Sequence, residues 1–132
     1  MANAKTRILL AEDTETVVKI LKVLLEKNGY DVVHVPNGLD AYALISKGEH
    51  FDLLLTDVLM PGMSGFELIE KLHSEQKLPP SIILTAKQRD EDVLRGLNCG
   101  ALDYITKPFS PNVFLARVKT ALSRVQQNVS NG

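Results

Sequence analysis

Glu12 and Asp13 stand side by side, Asp57 follows the aliphatic run Leu53, Leu54 and Leu55 with only Thr56 between, Thr85 ends "SIILT", and Lys107 follows "DYIT". Each of these groups lies at the end of a short apolar segment. Carboxylates gathered in one cleft repel one another at neutral pH unless a cation lies among them. Oxygen ligands suit Mg²⁺, which takes one or two carboxylates, keeps several waters and leaves room for phosphate oxygens. No His or Cys stands at these positions, which disfavours zinc. Beside such an ion, Asp57 is either a ligand only or a nucleophile that attacks phosphorus to give an aspartyl phosphate. Phosphoryl transfer asks mainly for positioning and charge neutralisation, which the ion, Lys107 and the Thr85 hydroxyl would supply.

Taken one at a time, the same residues have plainer uses. Asp13 suits the N-cap of a helix beginning near Thr14, and Asp57 suits a turn. Thr85 is a good strand residue, and a lysine such as Lys107 usually lies on the surface. Their conjunction argues otherwise, because each falls at the end of a different predicted strand.

The elements that must position them alternate in kind. "RILLA" (7–11), "DVVHV" (31–35), "DLLLT" (52–56), "SIILT" (81–85) and "DYIT" (103–106) read as strands buried on both faces. Between them run helical spacings: Val17, Ile20, Leu21, Leu24 and Leu25, stopped by "KNG"; Leu39, Tyr42, Ala43 and Ile45; and Phe66, Leu68, Ile69 and Leu72. "DEDVLRGL" and "PNVFLARVKTALSRV" supply a fourth and a fifth helix, the last capped by Ser110 with Pro111 as its first residue. Five βα units predict an α/β, doubly wound parallel sheet flanked by helices, and ligands of such sheets bind at the carboxyl ends of the strands.

The 132 residues fit one domain, expected over 6–127, with short flexible ends at 1–5 and 128–132. A net charge of −1 from 15 basic and 16 acidic residues gives no broad attraction to nucleic acid or anionic membrane. A lone Cys99 permits no internal disulfide, and no stretch approaches a signal peptide or a membrane span, so a cytoplasmic setting is expected. His34, His50 and His73 share no spacing and read as incidental, and Cys99 before Gly100 reads as a helix-end residue.

In order and separation, "ILLAEDTE", "DLLLTDVLMPGMSGFELI", "IILTA" and "GALDYITKPF" resemble the receiver domains of two-component response regulators, over residues 6 to 127. The resemblance implies the flavodoxin-like strand order 2-1-3-4-5, for which receivers are themselves a reference example. It also implies phosphoryl transfer from a phosphohistidine on a histidine kinase or phosphotransfer protein. By position, Asp57 resembles the phosphoacceptor, Glu12 and Asp13 the acidic pair that holds Mg²⁺, and Leu59 the residue whose carbonyl completes the metal shell. Thr85 and Lys107 resemble the pair that contacts phosphoryl oxygens, Ala86 the small residue that leaves room for them, and Lys107-Pro108 the family's cis peptide. Tyr104 resembles the aromatic switch that follows Thr85 when phosphorylation shifts the population. Such a domain is a signalling switch, not a turnover enzyme, read by a downstream protein or an appended output domain.

Two features are particular to this chain. Leu59 and Lys87 occupy the positions that flank the hydrolytic water, and an apolar Leu59 is expected to prolong the phosphorylated state. The segment from Lys87 to Val118 most resembles receivers of winged-helix transcription regulators, which dimerise through charged pairs on this face. Here Val93, Leu102 and Val113 replace charges while Arg89 and Arg117 are kept, so this face could dimerise by apolar burial rather than ion pairs, or could bind another protein.

Other functions fit less well. A flavin carrier needs a phosphate-cradling loop where "AEDTET" places carboxylates. A phosphatase with an aspartate nucleophile wants a second acid at Leu59. DNA binding finds no spare helix-turn-helix. The remaining alternative is a receiver-like interaction module that works without phosphorylation.

Overall fold

The computed structural model describes residues 5–131, and the side chains of residues 5–124. Five strands and five helices alternate: β1 (Arg7–Ala11), α1 (Glu15–Lys27), β2 (Asp31–Val35), α2 (Gly38–Ser46), β3 (Leu53–Thr56), α3 (Gly65–Ser74), β4 (Ser81–Thr85), α4 (Asp90–Asn98), β5 (Asp103–Thr106) and α5 (Pro111–Asn131). The strands form one parallel sheet in the order β2-β1-β3-β4-β5. Both the α/β fold class and the strand order are those the sequence predicts. The expected flexible ends fall partly on residues 1–4 and 132 and on side chains beyond 124, outside the described residues.

Alternation along the strands explains the layers. Leu9, Ala11, Leu54 and Ile83 face one side with buried residues of α2 and α3, whereas Ile8, Leu10, Leu53, Leu55, Ile82 and Leu84 face the other with α1 and α5. Since successive residues of a strand point to opposite faces, a strand covered by helices on both sides must be apolar throughout. The third strand begins at Leu53 and not Asp52, because the Asp52 carboxylate accepts the Arg7 backbone N–H at 2.8 Å and is used at the sheet's edge.

Two helical stripes differ from expectation. On α1 the buried residues are Val18, Leu21 and Leu25, while Ile20 is 52% exposed. On α2 they are Gly38, Ala41 and Ile45, and Leu39 turns outward at 54%. Both helices carry more apolar residues than their buried face needs, so three- and four-residue spacings fit more than one stripe. The third stripe is buried as predicted, and a Ser64–Glu67 capping box fixes the start of α3.

Candidate functional site

The site follows from register. Ala11 pairs with Thr56 across β1 and β3, so Glu12 and Asp57 leave adjacent strands at the same level. On the other side, the Lys107 N–H donates to the Thr85 carbonyl at 2.8 Å, which carries the β4–β5 ladder up to the lysine. The Lys107 ammonium then reaches across the strand ends, donating to Glu12 Oε1 at 2.7 Å and to Asp57 Oδ2 at 3.1 Å. One carboxylate oxygen each of Glu12, Asp13 and Asp57 lies within 4.8 Å of the others.

These groups differ in solvation. Glu12 and Asp57 are buried and Asp13 is exposed. Asp13 does not cap α1; Thr14 is the N-cap, and the Glu12 carboxylate accepts its backbone N–H at 3.2 Å. Asp57 is fixed by the turn behind it, where Oδ1 accepts Val58 N–H at 2.6 Å and Leu59 N–H at 3.4 Å. Burial pushes the Glu12 carboxyl above its ordinary range; the Lys107 hydrogen bond opposes this and the Asp57 charge adds to it. Burial alone would lower Lys107, but its hydrogen bonds to Glu12 and Asp57, with their charges, hold it above its ordinary value. One ammonium thus bonds two of three clustered carboxylates, an arrangement short of positive charge, and all its acidic ligand atoms are oxygens.

A model of the response regulator receiver domain family matches residues 8–119. This chain belongs to that family. Response regulator GtcR of Aneurinibacillus migulanus is 41% identical over 117 residues, covering 89% of this chain and 48% of that protein. The alkaline phosphatase synthesis transcriptional regulatory protein PhoP of Bacillus subtilis is 40% identical over 118 residues, covering 89% of this chain and 49% of that protein. The chain therefore spans about half the length of these curated relatives. Among solved structures, a CheY-like receiver domain protein from Methanospirillum hungatei superposes with a TM-score of 0.87 at 32% identity, covering 95% of this chain and 99% of that one. The receiver domain of a signal transduction histidine kinase from Syntrophus aciditrophicus gives 0.83 at 42% identity, covering 91% and 92%.

Within the receiver, Thr85 is fully buried and its hydroxyl accepts the Lys87 N–H at 3.4 Å. Ala86 is exposed beside it, and the Lys107-Pro108 peptide is cis. Leu59 is 60% exposed. Tyr104 is turned inward at 8% exposure, its hydroxyl donating to the Lys87 carbonyl at 2.8 Å. Its phenol is pushed up to about 12, by burial first and then by the Asp92 and Asp57 charges.

On the α4–β5–α5 face, Leu102 and Val113 are exposed as expected, and Leu94 and Leu97 of α4 are exposed as well. Val93 departs from expectation; it is partly buried and packs against the core. Arg89 lies 3.5 Å from Glu91, and Arg117 is 2.9 Å from Asp103, so both kept arginines have partners within the chain.

Three contributors escape a reading of the sequence. His34, incidental by its spacing, places Nε2 2.7 Å from the Glu12 carbonyl, and since a carbonyl only accepts, that nitrogen carries the proton. Gly65 approaches Asp57 so closely that a Cβ would lie 2.1 Å from the Asp57 carbonyl oxygen, and its N–H donates to Val58 O at 3.0 Å. Gln88 donates to the Lys107 carbonyl at 3.0 Å, linking the loop after β4 to the lysine's backbone. The segment "MPGMSGFEL" signals Gly65 as part of a motif without showing what the glycine is for; His34 and Gln88 have no signal of either kind.

Proposed function

We propose that this receiver accepts a phosphoryl group on Asp57 from a phosphohistidine of a histidine kinase or phosphotransfer protein. The observation that supports this most is the joining of Glu12, Asp13 and Asp57 to Lys107 at adjacent strand ends of a receiver-family chain. The donor set fits Mg²⁺, since it offers hard oxygens in excess of positive charge. Glu12, Asp13, Asp57 and the Leu59 carbonyl would hold the ion. When bound, Mg²⁺ neutralises the acidic cluster and the incoming phosphate oxygens.

The chain's own groups do the rest. Val58 N–H and Lys107 hold the two oxygens of Asp57 and fix the carboxylate for in-line attack on phosphorus, whose bond to the histidine nitrogen breaks as the new P–O bond forms. Lys107 and the Thr85 hydroxyl take the phosphoryl oxygens, and exposed Ala86 leaves them space. Thr85 drawn to the phosphoryl group, with Tyr104 held inward, favours one arrangement of α4, β5 and α5, which a downstream protein, an appended output domain or a second copy reads. The exposed Leu94, Leu97, Leu102 and Val113 support burial over ion pairing as the basis of such a homodimer. Sedimentation with and without beryllofluoride checks this, with association expected only in its presence.

Incubation with a small phosphodonor and Mg²⁺ tests the main reading. The chain should take up one phosphoryl group, and Asp57→Asn or chelation of the metal should abolish labelling. An unlabelled wild-type chain, or a labelled Asp57→Asn, would leave the phosphorylation-independent interaction module as the better account.

A further inference from the structure

Gly96 lies inside α4, a helix of nine residues, with buried surroundings and no left-handed backbone. Glycine there weakens a helix relative to alanine by a factor of about five in its equilibrium. Conformation does not ask for it, but space does. A Cβ at Gly96 would stand 2.4 Å from Cδ2 and 2.7 Å from Cε2 of Tyr104, and 3.0 Å from Cδ1 of Ile83. Two of these atoms belong to one aromatic edge, a rigid body that cannot yield by a small rotamer adjustment. The same ring is anchored at its far end by the hydroxyl bond to the Lys87 carbonyl. Tyr104 is therefore clamped between a missing side chain on α4 and a backbone acceptor in the loop after β4.

We propose that Gly96 is the positioning residue of the Tyr104 switch: its bare backbone forms the seat that makes the inward ring position available and ties α4 to whether the ring is in or out. With the ring inward, α4 rests on its edge. With the ring outward, the space beneath Gly96 empties, and α4 has no support at that turn. The coupling rests on Tyr104 acting as the switch of a phosphoacceptor, but the seat itself does not.

A double-mutant cycle reads the seat directly. Gly96→Ala should lower the thermal midpoint of the wild-type chain, because the added methyl meets the ring. In a Tyr104→Ala background, the same change should raise the midpoint, because the rigid ring is gone, the flexible tip of Ile83 at 3.0 Å can yield by a few tenths of an ångström, and the alanine's helix preference then prevails. If Gly96→Ala alone does not fold, a folded Gly96→Ala/Tyr104→Ala chain more stable than Tyr104→Ala supports the seat equally. A change of the same sign in both backgrounds, or a double variant less stable than Tyr104→Ala, overturns it.

Ultraviolet titration, with Tyr104→Phe identifying the signal, gives a readout that general destabilisation would not move. The Tyr104 phenol should fall from about 12 toward its ordinary value of 10 in folded Gly96→Ala, and an unchanged titration counts against the seat. Beryllofluoride binding then tests the coupling: Gly96→Ala should weaken it at least fivefold, and equal affinity would refute that half of the proposal. A wild-type chain that binds no beryllofluoride would defeat the phosphoacceptor reading while leaving the outcome of the cycle for the seat intact.

Discussion

The two edges of the sheet bring the same kinds of side chain together with opposite results. At the amino ends of β1 and β3, Arg7 donates to Glu49 at 3.2 Å and to the His50 carbonyl at 3.0 Å, and its backbone N–H donates to Asp52. Lys47 lies 3.7 Å from Glu49 and His50 3.1 Å from Asp52, all partly open to water, while the Arg7 guanidinium stacks 4.7 Å over the Phe51 ring. Charge there is shared between two cations, Arg7 and Lys47, and water screens what remains. At the carboxyl ends, Glu12 and Asp57 are buried and share Lys107 with each other. Acidic residues are common to both edges; the deficit of positive charge and the exclusion of water distinguish the second. A site is recognised by the imbalance that its surroundings enforce, not by the residue types it contains.

Removing the cation at each edge is the strongest way to break this comparison. Lys107→Met leaves two buried carboxylates without their partner and should cost about 3 kcal/mol in metal-free buffer. Arg7→Met should cost about 1 kcal/mol, as expected of a solvated pair. Equal losses in urea unfolding would show that the edges do not differ in kind. Added Mg²⁺ should next separate them. Saturation at about a hundred times its dissociation constant would stabilise the chain by about 2.7 kcal/mol. Calorimetry should find that gain lost in Asp13→Asn and kept in Asp52→Asn.

Alkaline titration sharpens the contrast further. Tyr104 ionises at about 12 in the folded chain and near 10.0 in the unfolded one. Because the folded value is raised, its contribution to stability is fully present below pH 10 and is lost as the pH climbs through about 12. Lys107, also raised, loses its contribution in the same direction above its ordinary 10.5. Tyr104→Phe should flatten the stability curve between pH 10 and 12, whereas Arg7→Met should leave that slope intact. The smallest effect expected is kinetic: Leu59→Asn should speed loss of the phosphoryl group by a few-fold, about 1 kcal/mol of barrier or less. An unchanged rate would remove Leu59 from the account of acyl phosphate lifetime.

The strands are clear in the sequence because a strand covered on both faces has little choice of residue, and Leu53, Leu54 and Leu55 are each fully buried. Glu12, Asp13, Asp57, Thr85 and Lys107 are legible because parallel topology sends every strand's carboxyl end to one edge. Helical faces are less so. Ile20 on α1 and Leu39 on α2 fit a periodic stripe but lie outside the buried face, since one-dimensional spacing records that residues are apolar and not which way the helix is turned. Least legible are His34, Gln88 and Gly96, whose importance is an approach between different elements of the chain. Nothing adjacent to Gly96 reports that Tyr104 will lie against it.

Lys107 and Glu12 are separated by 95 positions, and Lys107 and Asp57 by 50, yet the first strand and the last must both be docked before the three meet. A ribosome releasing this polypeptide has made both acids long before it makes their ammonium partner. Partly synthesised or partly unfolded copies thus lack the assembled cluster, and if the chain accepts phosphoryl groups as proposed, a donor enzyme encountering them would transfer nothing. Under the proposed function, competence to receive a signal would require both outer parts of the sheet to be in place, a condition set by chain topology.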